Sequence, residues 1–98
     1  MSQTETSVIE KQKFKTPSLW TVILHNDDFT PMDFVVAILT EVFHLDMEAA
    51  KDVMLTVHEK GSAPVGKFSK EIALSKAAQV VHLAEQCGHP LNATAEEL

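Results

Sequence analysis

Residues 19–35 read LWTVILHNDDFTPMDFV, and the order of residue types in that stretch decides the architecture of the chain. Leu19 to Leu24 is short, β-branched and aromatic, and His25-Asn26-Asp27-Asp28 closes it with turn-formers, so it reads as a strand. Thr30-Pro31 then opens a helix. Thr30 is a capping residue, Pro31 suits the first helical position, and Asp33 falls in the first turn, where the helix dipole favours a negative charge. The body from Met32 to Phe43 is apolar over more than half its circumference, which predicts a central helix.

Downstream, Asp46 caps a second helix whose Ala50, Val53, Met54 and Val57 recur at i, i+3, i+4 and i+7, and Gly61 stops it. Ala63 to Phe68 is a weaker strand, with Pro64 implying an edge or a strand start. A third helix spans about Ser69 to Gln86, with Ala73, Ala77, Val80, Val81 and Ala84 on one face and Gly88 beyond its end. From Pro90-Leu91 a last extended piece alternates Leu91, Ala93 and Ala95 with polar neighbours. The order β-α-α-β-α-β predicts a single small α+β domain over residues 19–98, with helices packed on one face of a short three-stranded sheet. Upstream, residues 1–18 are rich in Ser, Thr, Gln, Glu and Lys, and only Val8, Ile9 and Phe14 could bury, too few to offset the entropy of ordering them. They are expected to form a flexible N-terminal arm.

Ninety-eight residues hold one domain, expected to be a monomer. Fourteen acidic residues against eight Lys and no Arg leave a net charge of -6. That balance argues against nucleic acid, whose phosphates need clustered cations, and against an anionic membrane surface. Cys87 is the only cysteine, so neither an internal disulfide nor a multi-cysteine zinc site forms. No apolar run approaches the ~18 residues of a membrane span, and the first residues lack a basic-then-apolar leader. A cytoplasmic protein is expected.

No nucleophile elbow and no glycine-rich phosphate loop is present, and no pair of the five histidines has the i, i+4 spacing of a zinc helix. Neither a metal nor a cofactor is expected. The dense polar cluster is His25-Asn26-Asp27-Asp28. Turn chemistry accounts for Asn and Asp there, yet two adjacent carboxylates exceed what a turn needs. His58 follows Met54 and Val57 near the apolar face of the second helix, where a histidine is either a satisfied rim residue or a ligand group. Met32, Val35, Met54 and Val57 serve equally as core or as the adaptable lining of a pocket.

The string Val22 to Val35, VILHNDDFTPMDFV, closely resembles the signature of the ClpS family, the N-degron adaptors of the Clp proteases. Met54-Leu55-Thr56-Val57-His58, then Gly61, Glu71 with Lys76, and His89-Pro90-Leu91 are similar to later family blocks in the same order. The resemblance implies a non-enzymatic adaptor. Such a protein binds substrates whose first residue is Leu, Phe, Tyr or Trp and hands them to an AAA+ unfoldase, ClpA or ClpC. By position, Asn26, Asp27 and His58 match the holders of the free α-amino group. Thr30, Met32, Val35, Met54, Val57 and Leu91 match the lining of the side-chain pocket, and Glu71 and Lys76 match the docking site for the unfoldase N-domain. Departures lie at Pro64-Val65, Leu74-Ser75 and Ala93, where family members often carry other residues.

The chemistry is coherent without the name. An ammonium brings three donors and no acceptor, so its site needs converging acceptors and preferably a negative charge. Asn26, Asp27 and a neutral His58 ring offer that set. The rival readings are an acid-base or metal enzyme built on Asp27, Asp28 and His58, and a purely structural interaction domain. Neither explains an acceptor trio beside a methionine pocket.

Overall fold

A computed structural model of the protein describes residues 17–98. The expected arm at residues 1–18 lies, except for its last two positions, outside the described residues. The elements run β1 (Trp20–His25), α1 (Met32–Glu41), α2 (Met47–Lys60), β2 (Ser62–Phe68), α3 (Lys70–Gln86) and β3 (Asn92–Glu97), in the expected order. The sheet order is β2-β1-β3, with β1 antiparallel to both neighbours. Alternation decides the covered face. Val22 and Leu24 of β1 lie opposite Val65 and Ala63 of β2, and Leu24 opposite Ala93 of β3, and all five are buried. Ile23, one residue out of phase, is only half-buried. Onto the covered face pack Val35, Ile38 and Leu39 of α1, Ala50 and Val57 of α2, and Ala73, Ala77, Val80 and Ala84 of α3. The alanine stripe lets α3 lie close against the sheet.

Local signals start and stop the later helices as read. The Asp46 carboxylate accepts from Ala49 N at 2.8 Å and the Ser69 hydroxyl from Ile72 N at 3.3 Å. Gly61 closes α2 in the left-handed region, at φ 92°. Pro64 sits in the edge strand β2, opposite Ile23.

Two readings of α1 need correction. Thr30 does not cap it: Pro31 takes the N-cap position with extended backbone, and the Thr30 hydroxyl donates to Asp27 instead. The helix begins one residue later than the cap reading requires, and the Thr30 hydroxyl proton is held in a charge-assisted bond to the carboxylate three residues back. The helix also stops at Glu41 rather than Phe43. Val42 and Phe43 bury beside α3 as the chain turns, and His44 completes the reversal at φ 59°. The Lys76 ammonium, from α3, donates to the Val42 carbonyl at 2.8 Å and lies over the Phe43 and Phe68 rings at 5.7 and 5.6 Å.

Candidate functional site

The polar loop and the second helix meet because of strand pairing. His25 ends β1 opposite Ser62, the first residue of β2, and the next residue, Asn26, donates its N–H to Gly61 O at 2.9 Å. Gly61 caps α2, so His58, less than one turn earlier, is brought beside Asn26 and Asp27. From the other side α1 presents Met32 and Val35 at i and i+3, while α2 presents Met54, Val57 and His58 at i, i+3 and i+4.

These groups enclose a cavity of about 230 Å³. Its polar side is Asn26, Asp27, Asp28, Thr30 and His58, and its apolar side is Met32, Val35, Met54 and Val57. Val35 and Val57 are buried, whereas Met32 stands on the rim with 46% of its surface exposed. Of the nine residues anticipated for amine and side-chain binding, eight line this cavity. Leu91 does not; it is buried in the core ahead of β3. Asp28 lines the cavity but was not assigned to it from sequence, and its adjacency to Asp27 was the available signal. Glu71 and Lys76 lie elsewhere, on α3. Glu71 is exposed, while the half-buried Lys76 is engaged with Val42.

Asp27 organises the loop. One carboxylate oxygen, Oδ1, accepts from Phe29 N at 2.8 Å and Thr30 N at 2.7 Å, and Oδ2 accepts from the Thr30 hydroxyl at 2.8 Å. A carboxylate has about four acceptor positions, so one on Oδ2 remains for an incoming donor. Burial pushes the Asp27 carboxyl up, but the N–H groups of Thr30 and Phe29, the Thr30 hydroxyl and the charge of His89 together outweigh it. The net result lies below the ordinary 3.8. His89 is itself held edge-on to Phe34 of α1, with ring centroids 4.7 Å apart. The His58 side chain makes no hydrogen bond within the chain among the described residues, and no Lys lines the cavity. The polar side therefore offers acceptors and negative charge, and the opposite side offers thioethers and methyl groups.

Among the described residues, no three His, Cys, Asp or Glu gather to hold a metal. No described helix is long and apolar enough to cross a membrane.

The family model described as ATP-dependent Clp protease adaptor protein ClpS matches residues 15–94. The chain is 49% identical over 89 residues to the ATP-dependent Clp protease adapter protein ClpS of Vibrio atlanticus (strain LGP32), covering 91% of this chain and 84% of that one. Its counterpart in Burkholderia mallei (strain SAVP1) is 47% identical over 95 residues, covering 95% and 91% of the two chains. Among solved structures, Agrobacterium tumefaciens ClpS2 bound to L-phenylalaninamide superimposes with a TM-score of 0.81 at 39% identity, covering 84% of this chain and 99% of that one. With the family model spanning nearly all of the described residues, the chain belongs to the ClpS family of Clp protease adaptors.

Proposed function

We propose that this adaptor captures proteins by a free N-terminal amine followed by a Leu, Phe, Tyr or Trp side chain and delivers them to a Clp unfoldase, ClpA or ClpC, for degradation. The observation that carries this reading is the cavity's division into an acceptor side with Asp27 and an apolar side with Met32, Val35, Met54 and Val57. An ammonium beside Oδ2 of Asp27 and the free His58 ring, and a side chain lowered toward Val35 and Val57, fill both at once. L-phenylalaninamide, the ligand of the Agrobacterium ClpS2 structure, is such a molecule: a free α-amine, an aromatic side chain and a neutral amide in place of the carboxylate.

Burying one Leu or Phe side chain contributes about 2 to 3 kcal/mol. A micromolar complex needs about 8 kcal/mol, so the amine contacts must supply much of the rest. Neither half of the site suffices alone, and selectivity for an N-terminus follows. Glu71, exposed at the start of α3, and Lys76 are assigned to docking on the unfoldase N-domain, and residues 1–18 to the segment that the unfoldase engages. The adaptor acts in the cytoplasm as a monomer, without a cofactor.

The test is binding of short peptides that begin Leu, Phe, Tyr, Trp, Ile, Val or acetyl-Leu. The first four are expected to bind, and acetylation to abolish binding, because Asp27 then faces a neutral amide and loses a charge-assisted bond. Free and acetylated Leu-peptides binding within about twofold of each other, well under 1 kcal/mol, would refute the assignment.

A further inference from the structure

Beyond the first cavity lies a second depression, an open groove of about 680 Å³ between α1 and α2. Met32 and Met54 line both, so the two are contiguous across a wall of two thioethers. The helices form a hairpin through the loop at residues 42–46, and the groove runs from Met32 and Met54 at one end to Thr40 and Met47 at the other. Its lining is mostly apolar, and Asp33 and Lys51, of opposite sign, are its charged members. Met32, Met47 and Leu55 leave 46%, 54% and 45% of their surfaces in solvent, an unusual expenditure of large apolar side chains on one face.

We infer that this groove is a subsite for the third residue of the substrate, and that it prefers an apolar side chain there. The inference rests on the first-residue reading above. A chain leaving the first cavity in extended form crosses the Met32–Met54 wall. Its side chains alternate, so residue three points the same way as residue one while residue two faces solvent. Residues one and three are about 7 Å apart along a strand. One turn of α1, from Met32 to Val36, advances about 6 Å. The third side chain therefore falls beyond the wall, over Val36 and Leu55. A neutral, apolar occupant suits a lining whose two charges cancel.

Peptides of the form Leu-Gly-X-Gly-Gly, with X as Gly, Leu, Phe or Asp, test this on the full-length chain by titration. Leu or Phe at X is expected to bind about fivefold tighter than Gly, the effect of a partly buried side chain, with Asp no better than Gly. The same Leu placed at position two should give little gain. Leu55→Glu, on an exposed position outside the first cavity, is expected to erase the gain at X and leave the ratio of Leu to Gly at position one unchanged. Met47→Glu, at the far end, gives a second variant at an exposed site and should diminish the gain less. Equal affinity for all X, with position-one selectivity intact, overturns the subsite and leaves the first-residue reading standing. Loss of position-one selectivity in the wild type overturns that reading, and the subsite with it. A gain at X that survives both variants, or a concentration-dependent dimer abolished by Leu55→Glu without any dependence on X, assigns the groove elsewhere and also overturns the subsite.

Discussion

Asn26 donates its backbone N–H to the carbonyl of Gly61 across 2.9 Å, and this bond ties the acidic loop to the end of the helix that carries His58. Gly61 holds φ 92°, and a Cβ placed there meets nothing within 4 Å. Gly61→Ala therefore adds backbone strain without a clash, about 1 to 2 kcal/mol for an L-residue in that region. The melting temperature is expected to fall by roughly 4 to 8 °C per kcal/mol in a domain of this size. Leu-peptide affinity should stay within about threefold of wild type, since the register of Asn26 and His58 survives. Calorimetry and titration check the two halves. A large affinity loss at unchanged stability would mean that Gly61 acts on the peptide and not on the helix end.

Asp27 titrates below its ordinary value in the folded chain, so its charge stabilises the fold above the unfolded carboxylate range. That stabilisation is lost as pH falls through the depressed folded value. The group is partly exposed, and the effect is correspondingly modest. Wild type should therefore exceed Asp27→Asn in stability by a constant margin from neutrality down to about pH 5, and by a shrinking one below about pH 4. Urea unfolding of both proteins across that range measures it. A margin that widens toward acid has the wrong sign for this assignment.

What was legible in the sequence was what neighbours in sequence decide. Asp46, Ser69 and Gly61 end helices through bonds within three or four residues, and each was readable. Thr30 has the same local chemistry, but the helix begins one residue later, with Pro31 at the cap, and only the folded loop shows its hydroxyl donating to Asp27. The stop of α1 after Glu41 carries no Gly or Pro; it follows from burying Val42 and Phe43 and from a lysine 34 residues away. Leu91 has an apolar pattern that suits pocket or core equally, and the sheet geometry puts it in the core. The eight cavity residues come from three separate elements that β1–β2 pairing draws together. No periodicity reports that convergence, and the family resemblance did.

Met32 stands on the cavity rim and its thioether is part of the wall. A substrate branched at Cβ is stiff at χ1 and carries its bulk nearest the backbone, where Met32 crowds it, while Leu and Phe branch one carbon later. Met32→Ala is expected to admit peptides beginning Ile or Val and to keep those beginning Leu or Phe. Titrating the four peptides against the variant decides the matter. Loss of all binding together with stability would place Met32 in the core instead.

Lys76 gives an N–H to the Val42 carbonyl, so its removal unpairs that group and uncovers two aromatic faces. Lys76→Met keeps the stem, yet should lower stability by about 1 kcal/mol. Glu71→Ala, at an exposed position, should leave stability within about 0.5 kcal/mol of wild type. Both are expected to weaken association with the unfoldase N-domain and to spare peptide binding. Denaturant midpoints measured beside unfoldase affinity separate the contribution of Lys76 to the fold from the docking proposed for it. An unfoldase complex indifferent to both substitutions would remove α3 from the docking surface.

His58 lines the cavity with a ring free of other hydrogen bonds among the described residues, so it is placed to accept one from the peptide ammonium. Only a ring nitrogen without a proton accepts, and the complex then requires neutral His58. His58→Ala removes that acceptor and should weaken a Leu-peptide about tenfold, whereas His58→Gln keeps an uncharged acceptor and should lose less. The peptide must in turn be cationic: its α-amine loses its proton near about 7.7 to 8.0, so affinity must fall toward base. Asp27, held below the ordinary carboxylate value, stays charged throughout and faces the ammonium at every pH where the amine is protonated. The alkaline limb therefore belongs to the peptide and should be the same in wild type and both variants. Titrating a Leu-peptide at neutral pH and at about pH 9 against the three proteins reads the two contributions separately. Wild-type affinity in His58→Ala would make His58 a bystander on the rim and hand the amine to Asn26 and the acidic pair beside it.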